Sequence, residues 1–197
     1  MLRSLVLLAT ATSLLSGGCQ AKKPIGLYVG ALRSSPSLDV VDADLAGVAV
    51  GLQGIGDQTY FMEMRASSDS DVGLDFVELL FGGRWASEVL PAPKLGVQLD
   101  LGITGADLDG LRNSNSLVSV GGGIFAEFPL SQAATVVAFG GGRYYLDTTE
   151  PTTCNDGTKS KSTGSGTCSH HGGIRNYNDY IGDGFAPEVS IGVRFRF

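Results

Sequence analysis

Charge is the first thing this chain is short of: 17% of its 197 residues are charged, against about a quarter in an average soluble domain. Cysteine is scarce at three, histidine at two and tryptophan at one. Two histidines leave few groups whose proton moves near neutral pH. Past residue 20 no run of 18 apolar residues occurs, so no helix of the mature chain can span a bilayer. Lysine and arginine total 14 against 20 acids, a net charge of −6, which excludes the basic footprint of a nucleic-acid binder. Disorder is excluded by an apolar content of 43%. The length allows one domain with at most a short appendage. Glycine, at 29 residues, is abundant.

Met1-Leu2-Arg3 is a basic start, residues 4–15 are apolar, and Ser16-Gly17-Gly18-Cys19 closes with small residues. This is the layout of a cleaved secretory signal, which takes residues 1–18 out of the fold. Its loss removes Arg3 and leaves 13 basic residues against 20 acids. The stretch from Leu15 to Cys19 resembles a bacterial lipobox, which implies a lipidated Cys19. It departs from that pattern in having Ser16 where leucine belongs. Ala21 offers a rival cut that would discard Cys19. Residues 19–24 are read as a short periplasmic segment.

From residue 25 onward the pattern has a period of two, the signature of strands. Phe185, Pro187, Val189, Ile191, Val193, Phe195 and Phe197 share one face, opposite Ala186, Glu188, Ser190, Gly192, Arg194 and Arg196. The same alternation runs through 77–85, 95–104 and 118–128, and more weakly through 25–33, 46–53 and 60–65. In 133–146 the run Gly140-Gly141-Gly142 blurs the phase. Placing Arg143 inward there turns Tyr144 and Leu146 outward. The total is about eight strands of roughly 9–14 residues, longer than soluble strands. Short connections at 54–58, 87–93 and 129–132 alternate with longer ones at 34–44, 67–73, 106–116 and 148–182. Short turns at one end and long loops at the other predict an eight-stranded antiparallel up-and-down transmembrane β-barrel over residues 25–197.

A strand in lipid must pair every backbone group with a neighbour, so the ring must close. At roughly 3.3 Å per residue and a tilt near 40°, ten residues cross the ~25 Å apolar band. Large apolar residues repeat on one face of every strand. Some forty of them cannot crowd into the lumen of so small a ring, so that face looks outward. The other face carries Glu63, Arg65, Glu78, Arg84, Asp100, Glu127, Arg143, Glu188, Arg194 and Arg196. Buried charges persist only when paired. Strand direction predicts Arg143 beside Glu188 near the outer end, and Glu127 with Arg84, Arg194 and Arg196 near the periplasmic end.

The closing Val193-Arg194-Phe195-Arg196-Phe197 resembles the recognition signal of the outer-membrane barrel assembly machinery. The resemblance implies that Phe195 and Phe197 are read by that machinery. Eight strands with long outer loops resemble the small outer-membrane barrels of the opacity proteins and the outer-membrane protein A transmembrane domain. That likeness implies the outer membrane of a Gram-negative bacterium and contact with its lipid and lipopolysaccharide. It implies no activity, because one barrel scaffold hosts many.

Small-barrel enzymes use a histidine on a strand or rim. Here His170 and His171 both lie in the last loop, and no strand pairs a histidine with a serine. The expectation is therefore no catalytic residue, no cofactor and no metal. A lipid-modifying enzyme remains an outlying reading. About eight strands leave a lumen just wide enough for side chains, so a narrow pore or small-solute barrel is the main alternative to loop display. The loop 148–182 is the candidate site for a surface ligand. Cys154 and Cys168 within it form a disulfide in an exported protein, restricting the open loop by about 3 kcal/mol. Zinc bound by Cys154, Cys168, His170 and His171 is the competing reading, but the spacing matches no known finger. Asp39, Asp42 and Asp44, and Asp107 with Asp109, suggest parts of calcium loops without a closing glutamate; divalent bridging to lipopolysaccharide phosphates is the functional version of that pattern.

Overall fold

A computed structural model describes residues 24–87, 93–111, 115–160, 166–178 and 180–197. The signal segment 1–18 and Cys19 lie outside the described residues. The remainder is all β. In chain order the strands are β1 (Ile25–Ser34), β2 (Ser37–Leu38), β3 (Leu45–Gly54), β4 (Gln58–Asp69), β5 (Leu74–Ala86), β6 (Lys94–Leu108), β7 (Asn115–Pro129), β8 (Ala134–Asp147), β9 (Thr152–Cys154), β10 (Lys159–Ser160), β11 (Ile174–Asn176) and β12 (Gly184–Arg196). The barrel order is β1-β3-β4-β5-β6-β7-β8-β12, and β12 returns to β1 to close the ring. The closing seam runs antiparallel from Gly26↔Arg196 to Ser34↔Glu188. Every other seam is antiparallel as well, so no backbone edge faces lipid.

The outward face is apolar through the middle of each strand. Leu101, Ile103, Val48, Val189 and Ile191 are all about 60% exposed, as are Val97 and Val120 to about half. A water-soluble sheet would not leave so continuous a belt uncovered. Tyr60, Trp85, Phe128, Phe195 and Phe197 gather toward the end where the short turns and both chain ends lie, the position of an interfacial aromatic girdle.

Two loop expectations change. The 67–73 connection is a four-residue turn, because β4 runs to Asp69 and β5 begins at Leu74. Gly73 makes that turn with φ +67°, a region glycine enters without a Cβ clash. The 106–116 connection shrinks likewise, with β6 and β7 still pairing at Ala106↔Asn115. The strands outlast the membrane because unpaired backbone groups cost free energy in any buried setting. Above the belt the polarity of the two faces reverses. Ser68, Asp75, Asp107 and Ser116 point outward, while Leu45, Leu74, Phe76, Ala106, Leu117 and Tyr145 are buried inside with Leu38, Ile181 and Ala186. The charged inner face read from the sequence therefore ends below this level: the outer end of the lumen is an apolar core.

Aromatic rings also enter the membrane level of the lumen, among them Tyr28, Phe61, Phe125 and Phe139. Inward glycines make room for them. A Cβ on Gly96 would stand 2.5 Å from the Phe125 ring, and one on Gly123 would stand 2.9 Å from Phe139. The glycine enrichment is thus partly a packing requirement of a narrow ring.

Candidate functional site

The inward positions of β3 to β8 and β12 converge on the barrel axis, so side chains far apart in sequence meet there. At the end where the short turns lie Arg194 holds Glu127 through two bonds, Nη1 to Oε1 at 2.7 Å and Nη2 to Oε2 at 2.8 Å. Arg84 donates from Nε to Gln98 Oε1 at 2.7 Å and from Nη1 to Gln53 Oε1 at 2.6 Å. Its guanidinium lies 4.9 Å from the Phe61 ring centre and 5.4 Å from that of Phe125, a cation–π arrangement. Gln98 and Gln53 pass the network on, to Asp100 at 3.1 Å and Glu63 at 3.4 Å.

At the middle, Arg65 bridges Glu63 at 2.7 Å and Glu188 at 2.9 Å. Arg143 is fully enclosed and reaches Asp100 at 2.6 Å, Glu188 at 3.4 Å and Ser119 at 3.3 Å. Glu78 stands 3.8 Å from Arg143 Nε and accepts hydrogen bonds from Tyr145 at 3.0 Å and Thr104 at 3.2 Å. The Phe76 ring meets Tyr145 edge-on at 5.3 Å, and the apolar core begins there. From Arg84 through Gln98, Asp100, Arg143, Glu188, Arg65, Glu63 and Gln53 these side chains form one connected network.

The structure brings together nine of the ten charges assigned inward: Glu63, Arg65, Glu78, Arg84, Asp100, Glu127, Arg143, Glu188 and Arg194 are all buried. Arg143 does meet Glu188, and Arg194 meets Glu127. Arg196 departs from the expectation: it has the inward phase but is exposed, because it pairs with Gly26 at the last rung of the seam, where the wall ends. Arg84 also departs, taking amide oxygens and rings rather than a carboxylate. Gln53, Gln98, Thr104, Ser119 and Tyr145 join this network without being among the ten charges assigned inward. Their signal was present, since each shares the phase of the inward charges.

The second constellation is the last outer loop, between β8 and β12. β9 is the centre of a three-stranded sheet with β10 and β11 at its sides. A disulfide joins Cys154 and Cys168, whose Cα atoms are 5.4 Å apart. The base of the loop is bound back on the barrel mouth. Asp147 Oδ2 accepts from the backbone N–H groups of Ile181 at 2.9 Å and Gly182 at 3.1 Å, and Ile181 enters the apolar core. The first outer loop joins the same cap, through β2 pairing with β12 and Tyr180 donating to Asp39 at 3.4 Å.

At the loop's far end Asp156 accepts from the Thr158 hydroxyl at 2.6 Å and backbone N–H at 3.0 Å, and its Oδ2 lies 2.7 Å from His171 Nδ1. These bonds, the Thr158 hydroxyl first, hold the Asp156 carboxyl down at about 2. In the acidic first loop Arg33 pairs with Asp44, which lowers the Asp44 carboxyl below its usual range. Asp44 N–H donates to Asp69 at 2.7 Å. Among the described residues no three His, Cys, Asp or Glu side chains are grouped to hold a metal ion.

A closed antiparallel ring of eight long strands, apolar outside at mid-height and ion-paired inside, is a transmembrane β-barrel of the outer-membrane type. The likeness to one solved structure agrees with that fold. Neisserial surface protein A superposes with a TM-score of 0.57 at 13% identity, over 88% of this chain and 97% of that one. Ail, the attachment invasion locus protein of Yersinia pestis, gives 0.49 at 12% identity over 90% and 100%. A major outer membrane protein of Thermus thermophilus gives 0.47 at 16% identity over 88% and 99%. No curated protein matches the chain in sequence. A family model described as a domain of unknown function, DUF3761, matches residues 150–177, a segment lying wholly within the last outer loop.

Proposed function

We propose that this protein is a non-enzymatic, non-conducting barrel of the Gram-negative outer membrane whose work is done by its displayed last loop, in envelope integrity or adhesion. One observation carries the reading. The lumen is filled along its length by paired charges and capped by an apolar core, while the clasped loop stands above the cap with its own sheet and disulfide. The buried histidine-free lumen offers no proton carrier suited to neutral pH. The outward Phe195 and exposed Phe197 at the end of β12 stand where the assembly machinery could engage them. Lipid and lipopolysaccharide are the expected surroundings of the apolar belt and outer rim.

Planar bilayers containing the purified folded protein test the sealed lumen. No defined current steps are expected, and steady unitary openings would overturn the reading in favour of a narrow pore. Lipid A mass spectra with and without the gene are expected to coincide. An acyl chain gained or lost would establish an enzyme instead. On intact cells, a tag inserted at Gly157 is expected to be reached by antibody without permeabilisation.

A further inference from the structure

The two histidines have no part in the barrel, yet the last loop fixes one of them from several sides. His171 Nδ1 lies 2.7 Å from Asp156 Oδ2. A carboxylate can only accept, so Nδ1 carries the hydrogen, and in the neutral imidazole Nε2 is then the lone-pair nitrogen. Asp156 is itself fixed from the other side by Thr158, through hydroxyl and backbone. The disulfide ties Cys154 to Cys168, and so holds both halves of the pair together within a few residues of the bridge. Three further bonds close the frame: His171 N–H to Cys168 O at 3.0 Å, Gly173 N–H to Cys168 O at 3.0 Å, and Asn155 N–H to Gly173 O at 2.9 Å. Gly172 and Gly173, with φ of +75° and +98°, reverse the chain just after the histidines. His170 and His171 are both exposed on this turn.

A carboxylate that orients one imidazole nitrogen and leaves the other free is the outer-shell arrangement of a metal-binding histidine. Imidazole suits zinc, copper and nickel. We propose that His171, oriented by Asp156 and preceded in sequence by the exposed His170, is a surface site for a divalent transition metal ion. The chain supplies two imidazoles at most, so the remaining coordination positions belong to water. The site lies in the segment that the family model matches on its own. It depends on the loop's clasp rather than on the membrane location of the barrel.

The test is calorimetric titration of zinc chloride into the folded, disulfide-bonded full chain in detergent. Saturable binding of one ion per chain is expected, tightening as pH rises because the imidazoles must be unprotonated. His171→Ala should abolish it. Asp156→Asn should weaken it about 10–100-fold, His170→Ala should weaken it at least several-fold, and the Cys154→Ser/Cys168→Ser pair should weaken it by freeing the loop. Heat-modifiable gel migration confirms that each variant barrel remains folded. Absence of saturable binding, or equal binding by His171→Ala, would overturn the proposal. Unchanged affinity in Asp156→Asn would overturn the orienting role of the carboxylate.

Discussion

The same strands are built in opposite senses at two heights. At mid-barrel Leu101 and Ile103 are more than 60% exposed while Arg143 is fully enclosed. A few residues further out, Asp75 and Asp107 face outward as paired neighbours across β5 and β6, while Leu45, Leu74 and Leu117 have no exposure at all. The period of two never breaks; only the assignment of greasy and polar residues to the two faces changes. What surrounds the wall at each height decides it. Hydrocarbon rewards an apolar exterior and forces charges to pair inside, whereas water rewards the ordinary arrangement with an apolar interior. The reversal falls between Val77 and Asp75 on β5 and between Val118 and Ser116 on β7, the boundary between the two regimes.

Substitutions can sharpen that contrast. Arg143→Ala should cost most, about 3–5 kcal/mol, because it leaves the buried Asp100 without its cation and Glu188 with Arg65 alone; urea unfolding in lipid vesicles measures it. Leu101→Arg, placing a cation on the hydrocarbon face, should cost about 2–4 kcal/mol, whereas Asp75→Leu, above the boundary, should stay within about 0.5 kcal/mol. Equal effects at Leu101 and Asp75 would abolish the two-level picture. Leu74→Ala should lose about 3 kcal/mol by opening a cavity in the outer core, read in the same assay.

Smaller effects belong to the loop. Replacing Cys154 and Cys168 with serine should leave the barrel's unfolding midpoint unchanged and increase protease cleavage within 150–177, because the bridge closes a loop that lies beyond the wall. The smallest effect is on pH. Asp156 has its carboxyl depressed to about 2, so the order it lends the loop is complete above the ordinary carboxylate value. That order is lost only as pH falls through about 2, the direction expected for a depressed acid. Amide exchange at Thr158, followed from pH 5 downward, should show protection persisting to that range.

Most of the membrane-level wall was legible from alternation. Arg143 could be phased inward even across three successive glycines, because the charge itself shows which face is sheltered. The outer collar was not legible. Ser67, Ser68 and Asp69, or Asp107, read as loop because polar residues in a run suggest a turn, yet β4 runs to Asp69 and β6 to Leu108, both still paired with β5. Gln53 and Gln98 illustrate the other gap: their phase was visible, but their use as acceptors for Arg84 depends on which strands become neighbours.

The sequence by itself carried the alternation of long amphipathic strands, the lack of an apolar run long enough for a helix in a bilayer past residue 20, and the pairing of the two loop cysteines. Those are local properties, carried by spacing and composition. Only the closed ring decided that Arg65 meets Glu188, 123 residues away, and that Ile181 returns to cap the lumen. Such contacts depend on register and closure, and alternation repeats identically under any even-numbered shift of one strand along its neighbour.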